Sequence, residues 1–77
     1  MNATIQWYVV TYPDYSQQYA IVQEGHVIVQ FRYKSEDRDD YFEAEAYHLS
    51  QWCKDMGFAL ESGYAHIDLP CKIRGKV

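Results

Sequence analysis

The run Ile5-Gln6-Trp7-Tyr8-Val9-Val10-Thr11-Tyr12 is rich in β-branched and aromatic residues and stops at Pro13, which predicts a strand followed by a loop. Ile5, Trp7 and Val9 share one face of that strand; Tyr8, Val10 and Tyr12 share the other. Neither face is plainly polar, so the tyrosine face is expected to be partly covered or used as an interface. Pro13-Asp14-Tyr15-Ser16-Gln17 carries turn chemistry. Tyr19 to Gln23 and His26 to Lys34 flank Glu24-Gly25, where Gly25 tolerates positive φ, and the two runs predict a β-hairpin. In the second run Val27, Val29, Phe31 and Tyr33 are expected toward the core, and most of Ile28, Gln30, Arg32 and Lys34 toward solvent.

Beyond these runs the period lengthens. Phe42, Ala46, Leu49, Cys53 and Met56 recur at alternating spacings of four and three, an apolar helical stripe with Trp52 on its flank. Asp40 followed by Glu43 resembles a capping box, and Gly57 suits the C-terminal cap, so the helix is expected from about Asp40 to Met56. The stripe is too short to argue for a coiled coil and reads as a helix packed on a sheet. Tyr64 to Leu69 predicts a last strand with Ala65, Ile67 and Leu69 inward, ending at Pro70, and Cys71 to Val77 adds a short edge strand or frays. The expected fold class is α+β: two layers, an antiparallel sheet of three to five strands in βββαβ order, and one helix packed on one face.

Seventy-seven residues make one domain, residues 1–77, with a small core. Hydrophobic residues at 48% and eight tyrosines are ample for folding. A net charge of -4 argues against nonspecific nucleic-acid binding, and the few cations cluster only weakly, at Lys72, Arg74 and Lys76. Met1 to Val10 lacks the basic segment of a signal peptide, and no stretch has the length of a membrane span, so a cytoplasmic location is expected. Cys53 and Cys71 are expected as reduced thiols.

Candidate chemistry is sparse. His48, Cys53, His66 and Cys71 are acceptable zinc ligands, but they form no paired ligand unit, and Cys53 lies on the apolar stripe well around the helix from His48. His66 and Asp68 share a strand face without a nucleophile turn or an oxyanion site, so the pair reads as a polar edge. No pocket to raise a carboxyl pKa is foreseen around the acids. Neither an enzyme nor a cofactor is expected.

The strongest signal is charge. Six acids fall within the ten residues from Glu36 to Glu45, with only Arg38 among them to answer. Glu36, Asp37, Asp39, Asp40, Tyr41, Glu43, Glu45 and Tyr47 are therefore the candidate partner-binding residues, with Tyr41 and Tyr47 as anchors among carboxylates placed where a partner normally docks phosphates. The same acids also complement the dipole at a helix start, which needs no partner. A different function, RNA binding, would use exposed Tyr8, Tyr12 and Tyr33 to stack bases and Arg32 and Lys34 to hold phosphates, although the acids would repel that ligand.

In size, acidity, tyrosine content and the hairpin-plus-helix layout around Glu24-Gly25 and Glu36 to Glu45, the chain resembles the small acidic single-domain inhibitors encoded by phages and mobile elements, including anti-CRISPR proteins. That resemblance implies stoichiometric, non-catalytic binding to a host or defence complex such as a CRISPR effector, in the host cytoplasm, and transfers no site residue. The expected function is inhibition of a nucleic-acid-handling complex through the acidic, tyrosine-containing surface, acting as a DNA mimic. The alternative is a self-associating module, a homodimer formed through an exposed strand or the Tyr8, Val10, Tyr12 face.

Overall fold

A computed structural model describes residues 2–23 and 27–68. Five strands and one helix follow in the order β1 (Asn2–Thr11), β2 (Gln17–Val22), β3 (Ile28–Lys34), β4 (Asp39–Glu45), a 3-10 turn (Ala46–His48) running into α1 (Leu49–Met56), and β5 (Ala59–Asp68). The α+β class, the antiparallel pairing and a strand count within three to five stand, while the βββαβ order gains a fourth strand before a shorter helix and the strands divide between two sheets. The strands form a three-stranded sheet, β2-β1-β5, and a two-stranded ribbon, β3-β4. None of the described helices is long and apolar enough to cross a membrane.

Three expectations are corrected. The segment from Asp39 to Glu45 is strand β4, not the start of the helix. Asp40, Phe42 and Ala44 alternate with Asp39, Tyr41 and Glu43, and Phe42 packs directly across from Phe31, a fit available only to a strand paired with β3. The expected hairpin between β2 and β3 is absent from the described pairing: β2 pairs with β1, β3 with β4, and the turn at Glu24-Gly25 lies outside the described residues. The physical reason is burial. β1 and β3 both carry large apolar inner faces, and one short helix cannot cover a flat five-stranded sheet, so the two sheets turn onto each other. Where they meet, the Gln18 side chain stands in for ladder bonds: its Oε1 accepts from the Arg32 backbone N–H at 2.9 Å and from the Tyr12 hydroxyl.

The third correction concerns faces. Tyr8, Val10 and Tyr12 are buried in the main core with Val29, Phe31, Tyr33, Phe42, Ala46, Leu49, Cys53 and Phe58. They are therefore not an interface. Nor are Tyr8, Tyr12 and Tyr33 a platform for bases, since Tyr12 stacks on Tyr33 at 4.9 Å and meets the edge of Phe58. Val29, Phe31 and Tyr33 point inward as their alternation requires, whereas Val27 is exposed. Ala65 pairs with Ile5 on the opposite face of the sheet, so it is Leu60, not Ala65, that packs against the core from β5. The Ile67 side chain, Leu69 and the tail from Cys71 to Val77 lie outside the described residues.

The helix stripe holds from Ala46 onward. Leu49 and Cys53 are fully buried, and Trp52 lies against Phe42 and Phe58. Gly57 ends the helix in the left-handed region at φ 81°, and both its N–H and that of Phe58 donate to the Cys53 carbonyl at 2.9 Å. That turn folds Phe58 back over the helix and aims the chain into β5.

On the outer face of the sheet, Trp7 lies across its cross-strand partner Gly63 so closely that a Cβ there would sit 2.5 Å from Cζ2 of the ring. The indole covers the strand where glycine leaves it bare. Gly63→Ala is expected to lower stability by about 1–2 kcal/mol, at the low end of overpacking costs because the half-exposed ring can swing outward. Denaturant midpoints check this, and a double-mutant cycle with Trp7→Leu should recover most of the loss. Additive effects would show that the ring and the glycine are not in contact.

Buried titratable groups set the alkaline limit. Burial pushes the Cys53 thiol from 9.0 up to about 11, and burial followed by the nearby Cys53 pushes the Tyr12 phenol from 10.0 up to about 12. Both folded values lie above the unfolded ones, so the folded chain holds more protons between roughly pH 9 and 12. Stability from these groups is intact below pH 9 and falls as pH rises through that window. Denaturant midpoints measured from pH 7 to 11 should be flat and then decline, with the first part of the decline removed in Cys53→Ala. A midpoint unchanged at pH 11 would contradict the burial of both groups.

Candidate functional site

The ribbon β3-β4 has two unlike faces because its residues alternate. Val29, Phe31, Tyr33 and Phe42 are buried on one; Ile28, Gln30, Arg32 and Lys34 lie opposite Glu45, Glu43, Tyr41 and Asp39 on the other. Seven residues of strand make the outer face roughly 20 Å long. On this face Asp39, Glu43 and Glu45 form a row of cross-strand partners rather than a helix-dipole device.

The eight candidate residues separate into three groups. Asp39, Tyr41, Glu43 and Glu45 share the outer face, and Tyr47 joins their end from the 3-10 turn, its hydroxyl donating to Glu45 Oε1 at 3.0 Å. Glu36 and Asp37 are exposed in the loop between the strands, at the far tip of the ribbon, where Asp37 accepts a bond from the Ser35 hydroxyl at 3.1 Å. Asp40 points the other way. Its Oδ2 lies 2.8 Å from Arg38 Nε without the alignment of a hydrogen bond, so the contact is Coulombic.

Charge is graded along the outer face. Near the tip, Arg32 grips Asp39 with two bonds, Nε to Oδ1 at 2.9 Å and Nη2 to Oδ2 at 2.8 Å, and Lys34 stands 3.8 Å away. The Arg32 bond holds the Asp39 carboxyl below its usual range and raises the guanidinium in turn. Arg32, also 5.9 Å from the centre of the Tyr41 ring, and Lys34 are occupied within the protein, which weakens their case as phosphate contacts. Toward the helix, the acids meet only neutral partners among the described residues. Gln30 donates to Glu43 Oε2 at 2.7 Å, Tyr41 to Glu43 Oε1 at 3.0 Å and Tyr47 to Glu45. Those carboxylates raise both phenols above their ordinary value, chiefly by accepting the hydroxyl proton's hydrogen bond.

The unneutralised end of the face is therefore Glu43 and Glu45 with Tyr41, 51% exposed, and Tyr47, 71% exposed. Tyr47 also packs on His48 at 4.2 Å. Sequence reasoning missed Ile28, which is exposed beside Glu45 as its cross-strand partner. Its place among the solvent-facing positions of β3 was the available signal. Together these residues make a strip with two carboxylates and three large side chains, the mix of anchors and rim charges that suits a protein interface.

No three His, Cys, Asp or Glu side chains among the described residues converge to hold a metal. Cys53 is buried as a free thiol in the core, while His48 is exposed on the 3-10 turn. His66 Nδ1 lies 3.0 Å from Thr4 Oγ1 across the sheet. Comparison with protein-family models, with curated proteins and with solved structures finds no match for the chain. Fold and site define it as a small α+β domain with one acidic, aromatic ribbon face.

Proposed function

We propose that this domain binds a protein partner without catalysis, as an inhibitor of a nucleic-acid-handling or defence complex, of the kind represented by a CRISPR effector. Its carboxylates would occupy the lysines and arginines that otherwise hold phosphates, as a DNA mimic does. The observation that carries this reading is the pairing of two carboxylates lacking any cation partner among the described residues, Glu43 and Glu45, with exposed Tyr41 on the same strand face and exposed Tyr47 at its end on the 3-10 turn. Charges of this type chiefly speed association, and the aromatic anchors govern how long the complex lasts.

The test is retention of partners from bacterial lysate on the tagged protein at low and high salt, comparing the native chain with Glu43→Lys/Glu45→Lys. A nucleic-acid-binding complex retained at low salt should be lost in the variant by about tenfold or more, and the residual binding should depend less on salt. Added domain should then block nucleic-acid binding by that complex at one-to-one stoichiometry. Equal retention by both proteins would remove the acidic face from the function. Asp39 and Asp40 are poorer choices for reversal, because the first is paired with Arg32 and the second with Arg38.

A second reading, self-association, is favoured by β5. This ten-residue strand pairs with β1 on one side and with no strand on the other among the described residues, and it contains neither proline nor lysine. An antiparallel copy of β5 could continue the sheet there. Sedimentation showing only monomer at high concentration would end this reading.

A further inference from the structure

We infer that the cleft behind Glu45 and Tyr47 seats an arginine-bearing segment of the protein partner, an inference that rests on the proposed function for the existence of that partner. The stack of Tyr12, Tyr33 and Phe58 holds the two sheets together elsewhere in the core, but a cleft of about 690 Å³ opens beside the start of the helix. Tyr8, Val22, Val27 and Leu60 supply its apolar wall, and Glu45 and Tyr47 stand among its polar groups. A second hollow of about 440 Å³ shares Val22 and Val27 with it and extends the groove toward Thr4. The larger volume lies within the roughly 300–1,000 Å³ of ordinary ligand sites, enough for a long side chain and some of its backbone.

Charge selects the occupant. Among the described residues, Glu45 is the only charged one lining the cleft. One of its oxygens accepts from Tyr47, and the other has no partner among the described residues. An anion would be repelled, and a purely apolar side chain would strip water from the carboxylate without replacing its hydrogen bonds. Arginine satisfies both parts of the site: its methylene stem lies along the apolar wall while its guanidinium donates to the free Glu45 oxygen and to the Tyr47 hydroxyl. Lysine carries fewer donors in no fixed plane and is the weaker match. Glu45 and Tyr47 thus belong both to the outer ribbon face and to the groove behind it, so one partner segment crossing the end of β4 meets both.

The experiment is a titration of the isotope-labelled domain, at low salt, with the blocked peptide Gly-Leu-Arg-Leu-Gly, followed by amide chemical shifts. Parallel titrations use peptides with lysine or norleucine in place of arginine. Saturable shifts at Glu45, Tyr47 and Leu60 are expected, strongest for arginine, and weakened about tenfold in Glu45→Gln, a substitution that keeps size and hydrogen bonding. Equal binding of the norleucine peptide, equal binding of the lysine peptide, or shifts confined to Glu36 and Asp37 would each overturn the assignment. The same shifts on raising protein concentration alone would mark a second copy as the occupant and overturn it too. Glu43→Lys separates this proposal from the broader one, because Glu43 lies on the ribbon face and does not line the cleft. If the peptide fails while Glu43→Lys still abolishes partner retention, the cleft assignment falls and the ribbon face stands. If Glu43→Lys leaves retention unchanged, the ribbon face falls whatever the peptide does.

Discussion

Phe31→Ala is expected to leave the chain largely unfolded at 25 °C, with near-ultraviolet circular dichroism lost and no cooperative denaturant transition. Phe31 is 1% exposed, sits directly across the ribbon from Phe42 on β4, and belongs to the core formed where the ribbon turns onto the three-stranded sheet. Truncating such a phenylalanine costs about 3–5 kcal/mol through lost transfer energy and the cavity left behind. A single core in a chain of 77 residues rarely supplies more than about 3–5 kcal/mol in total. The loss is therefore comparable to the whole stability. Phe31→Leu keeps most of the volume and should remain folded with a lowered midpoint. A Phe31→Ala protein that unfolds cooperatively near the native midpoint would mean that the ribbon is not packed on the core, and the acidic face would lose its rigid support.

The alternation that identifies Phe31 as core is plain in the sequence, as is the glycine that ends the helix. In both cases residues a few positions apart decide the structure. What was not legible depended on distant partners. Residues 40 to 49 satisfy two periods at once: Phe42, Ala46 and Leu49 fit a helix, while Asp40, Phe42 and Ala44 fit one face of a strand. Asp40 and Glu43 even imitate a capping box. The choice falls to the strand because β3 offers Phe31 to Phe42, Gln30 to Glu43 and Arg32 to Asp39, contacts that no local pattern announces. The two faces of β1 were equally ambiguous, since both are apolar, and only the packing of the ribbon and helix makes the tyrosine side the core.

For the site, composition located the acids but not their directions. Alternation divides neighbours Asp39 and Asp40 between opposite faces, and Arg32 and Lys34 on the facing strand, with Arg38 in the loop, cancel part of the charge that the linear run suggests. What remains is a smaller acidic end, displaced toward Glu43 and Glu45. The groove behind it was out of reach of any linear reading, because its walls come from β1, β2, β4, β5 and the start of the helix.

Arg38→Ala is expected to cost about 2–3 kcal/mol, more than an ordinary surface substitution, because Arg38 links three parts of the fold. Its guanidinium lies 5.6 Å from the centre of the Tyr33 ring and 5.1 Å from that of Phe58, and it donates to the Met56 carbonyl at 3.4 Å, where a positive charge suits the helix C-terminus. It also pairs with Asp40, whose side chain is only 20% exposed, so removing the arginine leaves a poorly solvated carboxylate without its counter-ion. Adding Asp40→Asn to Arg38→Ala should restore part of the loss, whereas Arg38→Lys should keep the charge and lose the flat stacking. Denaturant midpoints of the four proteins separate these contributions. If Asp40 served a partner instead, Arg38→Ala would free it: partner retention would rise with little change in stability. Loss of stability with retention unchanged per folded molecule is the expected result, and it would assign Asp40 to the fold and leave the outward-facing acids to the partner.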